Sequence, residues 1–223
     1  MNVVQGVSQA DEKTKQYLKA IAPAIPYVAV LIGLYGLHNA WSSIILYHLG
    51  MVVILTLTKS WWLGKRLLSW QAYLVLLVVV IGSALSGIIV FYLWSIMKLP
   101  ELVLGAELTN LGLSQTPWIL FMFYYFTINP LLEEIFWRGY LGSPKVAPIW
   151  GDFWFAGYHT LVLYLFIGLP WVAASFLVLV AAGWFWRQIT RIYGGLMMPI
   201  LSHAAADAGI IGAIFLLTLQ VVQ

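Results

Sequence analysis

The feature that most constrains this chain is how rarely charge interrupts it. Seven apolar segments follow one another, each near the ~20 residues a helix needs to cross a bilayer. They cover roughly 20–37, 41–58, 68–97, 118–141, 152–169, 171–188 and 195–219. Of the 223 residues 62% are hydrophobic and only 9% charged, whereas a soluble domain carries roughly 25% charged residues. Nineteen charged side chains cannot supply a polar skin, so a water-soluble globular domain is excluded. The expected fold class is all-α: a polytopic membrane protein of about seven transmembrane helices in one bundle. Residues 1–19 form a polar N-terminus, and 20–219 form a single transmembrane helical domain. No cysteine is present, which excludes disulfides, thiolate metal sites and a cysteine nucleophile.

Basic residues order the spans, because cytoplasmic loops carry the excess of Lys and Arg. Lys13, Lys15 and Lys19 precede the first segment, and Lys59, Lys65 and Arg66 follow the second. Arg138 and Lys145 end the fourth, and Arg187 and Arg191 end the sixth. A cytoplasmic N-terminus puts every basic residue but Lys98 on the cytoplasmic side. The net charge of +3 is then an orientation signal and not a sign of nucleic-acid binding. Trp61, Trp62, Trp70, Trp118, Trp150 and Trp171 fall near span ends, and the run GWFWRQ (183–188) reads as interfacial anchoring. The first two segments, joined by Leu37-His38-Asn39-Ala40, read as a bent pair or a re-entrant hairpin. The stretch between Lys98 and Pro117 reads as an interfacial helix and loop on the outer side.

Five ionisable residues lie where charge is costly, at least ~2.5–3.5 kcal/mol each on insertion scales. Glu133 and Glu134 lie in NPLLEEIFWRGYL, His159 in FWFAGYHTLVL, and His203 and Asp207 in PILSHAAADAG. Counting from the segment ends at ~1.5 Å per residue, Glu133, His159 and His203 all fall roughly 10–14 Å below the cytoplasmic surface. Helical spacing puts His203 and Asp207 on one face, as it does Phe155 and His159, and Glu134 and Arg138. Glu133 and Glu134 point about 100° apart. The simplest division pairs Glu134 with Arg138 and frees Glu133 for chemistry. Asn129-Pro130 is expected to kink the helix and admit water near the carboxylates. His38 and His48, without acidic neighbours, read as interfacial or packed residues near the outer interface.

EEIFWR at 133–138 resembles the EExxxR signature of the CAAX protease and bacteriocin-processing (CPBP, or ABI) family of intramembrane endopeptidases. FAGYH at 155–159 is similar to its FxxxH motif and HAAAD at 203–207 to its HxxxN/D motif. The resemblance covers roughly 118–219. It implies a glutamate-dependent intramembrane endopeptidase without cofactor or metal, acting on a peptide or membrane-anchored protein; Asp207 and the compact chain point to a prokaryotic plasma membrane. The site would lie toward the cytoplasmic half. By the resemblance Glu133 would be general base on a water, His159 would hold and polarise it, and His203 and Asp207 would stabilise the oxyanion. Glu134, Arg138 and Phe155 would support them. The prenyl-protein endopeptidases carry Asn in the last motif, and an ionised Asp207 would repel an oxyanion. Asp207 reads instead as a hydrogen-bond acceptor that orients His203.

The same residues allow other readings. Two imidazoles and a carboxylate could bind zinc, although HExxH is absent. Buried Glu–Arg and His–Asp pairs could merely clamp the helices of a non-enzymatic immunity or binding protein. A proton-coupled transporter is disfavoured, because no inverted repeat is visible.

Overall fold

The computed structural model describes residues 2–61 and 73–220. Trp62, Lys65, Arg66 and Trp70, together with the start of the segment expected at 68–97, lie outside the described residues. Among the described residues the chain is helical and has no strand. It carries one isolated bridge, between Lys98 and Ile167.

Helix α1 (Asn2–Ile21) continues through a 3₁₀ turn, Ala22–Ala24, into α2 (Ile25–Val30) and a π-helical turn, Leu31–Gly36. Pro23 and Pro26 sit at first-turn positions, where a missing N–H is harmless, and they divide this rod without stopping it. The chain reverses at His38, and Asn39 caps α3 (Ala40–Leu57) by accepting from Ser42 N at 2.8 Å. A Cβ at Gly33 would lie 2.3 Å from Ser43 Cα, so the rod and α3 meet backbone to backbone.

The third segment forms α4 (Tyr73–Ala84) and α5 (Ser86–Met97), and α6 (Leu104–Asn110) follows. α6 is packed into the protein by Leu104 and Leu108. Next come α7 (Gln115–Glu133), a π-helical turn (Glu134–Tyr140), α8 (Trp150–Leu163), α9 (Leu169–Tyr193) and α10 (Met197–Gln220). α10 is central, in contact with α4, α5 and α7. Where it crosses α5, a Cβ on Gly87 would lie 2.1 Å from Gly209 O. Close approach of this kind replaces the hydrophobic drive that lipid removes. Leu74, Val78, Leu177 and Val178 point outward, as lipid-facing side chains should.

Six helices among the described residues are long and apolar enough to cross a membrane, close to the expected seven. The difference is the segment expected at 152–169. Its helix, α8, has 14 residues, about 21 Å of rise against a hydrocarbon core of ~30 Å. The apolar residues after it form a turn, where Leu99 N donates to Phe166 O and Gly168 N to Met97 O, both at 2.9 Å. Hydropathy counts such residues as span although the helix has stopped. The sixth segment, conversely, runs on to Tyr193.

The two ends of the bundle differ. At one, Ala40 N donates to Leu111 O, and 97–99 lies against 166–168. At the other, the 141–149 loop lies against the C-terminal part of α9. There Arg187 holds Asp152 through Nε at 3.0 Å and Nη2 at 2.7 Å, and its remaining donors reach the carbonyls of Ser143, Lys145 and Ala147. Gln188 and Trp184 donate to Val146 O. Arg187 and Asp152 are thus a buried clamp, where only an orientation signal and a span end had been expected. Trp150 is exposed, whereas Trp118 is buried within the protein.

Candidate active site

The site is built where α7, α8 and α10 meet, and its geometry begins with the end of α7. Beyond Glu133 the backbone loosens to π-helical pitch, so Leu141 N reaches Phe136 O. Such turns recur at functional sites because they re-aim side chains within a helix. Here consecutive glutamates enter one buried volume, each with 0% exposure.

Glu133 takes the hydroxyl of Tyr158, which donates to Oε1. Its Oε2 is buried without a hydrogen bond, 3.5 Å from His203 Nε2, and the Tyr47 hydroxyl also faces the group. Glu134 Oε1 accepts from His203 Nδ1 at 2.9 Å and lies 3.1 Å from Arg138 Nη1. The guanidinium is out of hydrogen-bond alignment and rests on rings, 4.1 Å from the Phe155 centroid and 5.0 Å from that of Trp186. Phe155 is therefore a floor, with its centroid 4.7 Å from the His159 ring and 6.0 Å from that of His203.

The tautomers follow from these contacts. His159 Nδ1 donates to Phe155 O at 2.7 Å, which leaves Nε2 of the neutral ring as an acceptor, 3.1 Å from the Tyr158 hydroxyl. Tyr158 has one proton for two acceptors, and an ionised Glu133 holds it. His203 donates Nδ1–H to Glu134, so its Nε2 can donate only when the ring carries both protons. Glu133, Glu134 and Asp207 all face that ring.

All the residues expected at the site are brought together, with one change of role. Asp207 Oδ1 is 3.6 Å from His203 Nε2, too far for a hydrogen bond, and the contact that orients the imidazole is with Glu134. Glu134 therefore serves both Arg138 and His203.

Several neighbours escaped the sequence reading. Trp186, placed among interfacial anchors, is buried and stacked on His203 at 4.3 Å, and its Nε1 donates to Ser202 Oγ at 2.9 Å. Tyr158 adjoins His159, and that adjacency could have flagged it. His48 is buried in the middle of α3, not near its end, and bonds Tyr124 and Asn129. Asn129 is four residues before Glu133, a spacing that places both on one face. Among the described residues no group of three or more His, Asp or Glu side chains converges as a set of metal ligands. A cleft of about 300 Å³ opens beside Arg138 at the 141–149 end, lined also by Gly142, Ser143, Arg187 and Arg191.

The fold and this cluster define an integral membrane protein with carboxylates and imidazoles gathered inside its helix bundle. Residues 115–209, the stretch that supplies all three motifs, match the sequence model of the family described as type II CAAX prenyl endopeptidase, Rce1-like. The matched family, like the one that the motifs resemble, is one of CAAX proteases. No curated protein and no solved structure was found to match.

Proposed function

We propose that the protein is an intramembrane endopeptidase in which Glu133 activates a water against the scissile carbonyl of a membrane-associated peptide. The observation that carries this reading is the state of the Glu133 carboxylate. One oxygen is held by Tyr158, and the other is buried without a hydrogen bond, 3.5 Å from His203 Nε2. Oε2 takes a proton from the attacking water as its oxygen adds to the carbonyl carbon. His159 Nε2 accepts from the same water and orients it. The doubly protonated His203 donates Nε2–H to the developing oxyanion, an interaction worth several kcal/mol in a dry site. Collapse expels the amine, which receives the proton from Glu133.

The substrate class is a peptide or membrane-anchored protein with a cleavable C-terminal segment, a CAAX-type tail or a precursor or sorting tail. Entry from the cytoplasmic side is supported by the distribution of charge. Lys59, Arg138, Lys145, Arg187 and Arg191 lie at the end that carries the 141–149 loop, and Lys19 reaches the Tyr140 ring there, whereas Lys98 lies at the other. The cleft beside Arg138 opens at that same end.

The test compares membrane peptides by mass spectrometry from cells carrying the native chain and Glu133→Gln. An uncut precursor should accumulate in the variant, expressed at the native level. Identical peptide sets would defeat the proposal and favour a binding protein, which keeps its phenotype without the carboxylate.

A further inference from the structure

His48 on α3, Asn129 on α7 and Asp207 on α10 form a buried hydrogen-bonded line across three helices. The Tyr124 hydroxyl lies 2.6 Å from His48 Nδ1, His48 Nε2 lies 3.1 Å from Asn129 Oδ1, and Asn129 Nδ2 donates to Asp207 Oδ2 at 3.3 Å. With Asp207 ionised, the protons of this line run one way. A carboxylate oxygen can accept but not donate, so the Asn129 amide must turn its NH₂ toward Asp207. Its carbonyl oxygen then faces His48, which must carry a proton on Nε2. In the neutral ring Nδ1 is therefore the acceptor for Tyr124. Each donor is matched to one acceptor, and the line ends on the carboxylate whose other oxygen faces His203 Nε2. A buried amide held at both ends has little freedom to rotate, so it transmits position.

We propose that Asn129 and His48 are positioning residues of the site, holding the Asp207 carboxylate against His203, and that α3 is thereby part of the catalytic unit. His48 lies outside residues 115–209, so nothing in the family match points to it. The inference rests on the endopeptidase reading for its kinetic consequence, although the relay itself does not. Asp207 lies in the one motif where this chain departs from the prenyl-protein endopeptidases, and Asn129 brings an amide donor to that carboxylate from another helix.

Two measurements test it on the full chain in detergent or liposomes. The first is a double-mutant cycle on cleavage of a C-terminal peptide substrate. Asn129→Ala should lower kcat on the order of 10- to 100-fold with KM little changed. In an Asp207→Ala background the same change should cost almost nothing further, because there is no carboxylate left to position. His48→Leu should behave like Asn129→Ala, and His48→Gln, which keeps an N–H near the Nε2 position, should recover most of that loss. Additive losses, or a purely structural fall in Tm with an unchanged kcat, would overturn the proposal. The second is ¹⁵N spectroscopy of labelled histidine, which reads the His48 tautomer without any cleavage. A proton on Nε2 is expected, disturbed by Asn129→Ala; a proton on Nδ1 alone would refute the relay. The relay can thus fail while cleavage persists, and cleavage can fail while the tautomer stands.

Discussion

His203 Nδ1 lies 2.9 Å from Glu134 Oε1, so the second glutamate of the EExxxR stretch holds the imidazole of the last motif. The same oxygen is 3.1 Å from Arg138 Nη1. Glu134 therefore links the guanidinium, seated on Phe155, to the imidazole, stacked on Trp186. A carboxylate in that place fixes which nitrogen of His203 carries the first proton and offsets the charge when the second arrives. Glu134→Gln keeps an oxygen for the hydrogen bond and removes the charge. We expect kcat for peptide cleavage to fall on the order of 10- to 100-fold while KM changes little, because the change acts through His203. Steady-state kinetics in liposomes reads both constants; a rise in KM alone would assign Glu134 to substrate binding.

The clamp at the loop end predicts a stability effect separable from chemistry. Arg187 and Asp152 are both buried, and Arg187 also holds the 141–149 loop by its carbonyls. Removing one partner strands a buried charge, which costs about 3–5 kcal/mol. Arg187→Met should therefore lower the thermal midpoint sharply. Arg187→Met combined with Asp152→Leu should recover part of it, because no charge is then stranded. Recovery should stay incomplete, since the loop carbonyls lose the donors of Arg187 in both variants. Thermal unfolding of the detergent-solubilised protein distinguishes the three chains.

Much of the site was legible in sequence because its pieces are local. Glu134 with Arg138, and Phe155 with His159, follow from four-residue spacing, which secondary structure alone enforces. What was not legible depends on which helix approaches which. His203 and Asp207 share a face, yet spacing cannot say that a glutamate from another helix wins the imidazole. Nor does any local signal tell that Trp186 stacks on His203, or that His48 faces Asn129, since both contacts arise from helix packing. The count of spans suffered for a different reason. Residues 164–168 are as apolar as a helix core, but Leu165 N and Phe166 N bond only three residues back, to Val162 O and Leu163 O, and Gly168 N turns to Met97 O, so α8 closes in a turn there.

The crossing of α5 and α10 should be intolerant of any side chain. A Cβ at Gly87 would lie 2.1 Å from Gly209 O and 2.3 Å from Gly209 C, so only backbone displacement could relieve it. Overpacking of this kind costs typically 1–3 kcal/mol, occasionally more. Gly87→Leu should lower the thermal midpoint. Because α10 carries His203 and Asp207, it should reduce cleavage as well. Gly82, with nothing near its Cβ position, is the control: Gly82→Ala should leave the midpoint within about a degree or raise it. Equal effects at both positions would mean that the helices do not cross where Gly87 meets Gly209.

Tyr158 offers the sharpest separation of chemistry from packing. Its ring is buried and stacks on Trp137 at 6.3 Å with planes 8° apart, and it packs against Tyr47, so Tyr158→Phe keeps almost all of the contact surface. The variant loses one hydroxyl, the group that donates to Glu133 Oε1 and lies 3.1 Å from His159 Nε2. Without it the carboxylate is free to turn, and the acceptor nitrogen of His159 loses its neighbour. A buried hydrogen bond to a charged group contributes about 1.5–3 kcal/mol, which as transition-state alignment corresponds to roughly 10- to 150-fold in rate. Tyr158→Phe should therefore lower kcat within that range while the thermal midpoint moves by only a few degrees. If the rate held at the native value, the hydroxyl would have no part in holding the base, and Glu133 would have to be oriented by Tyr47 or His203 instead.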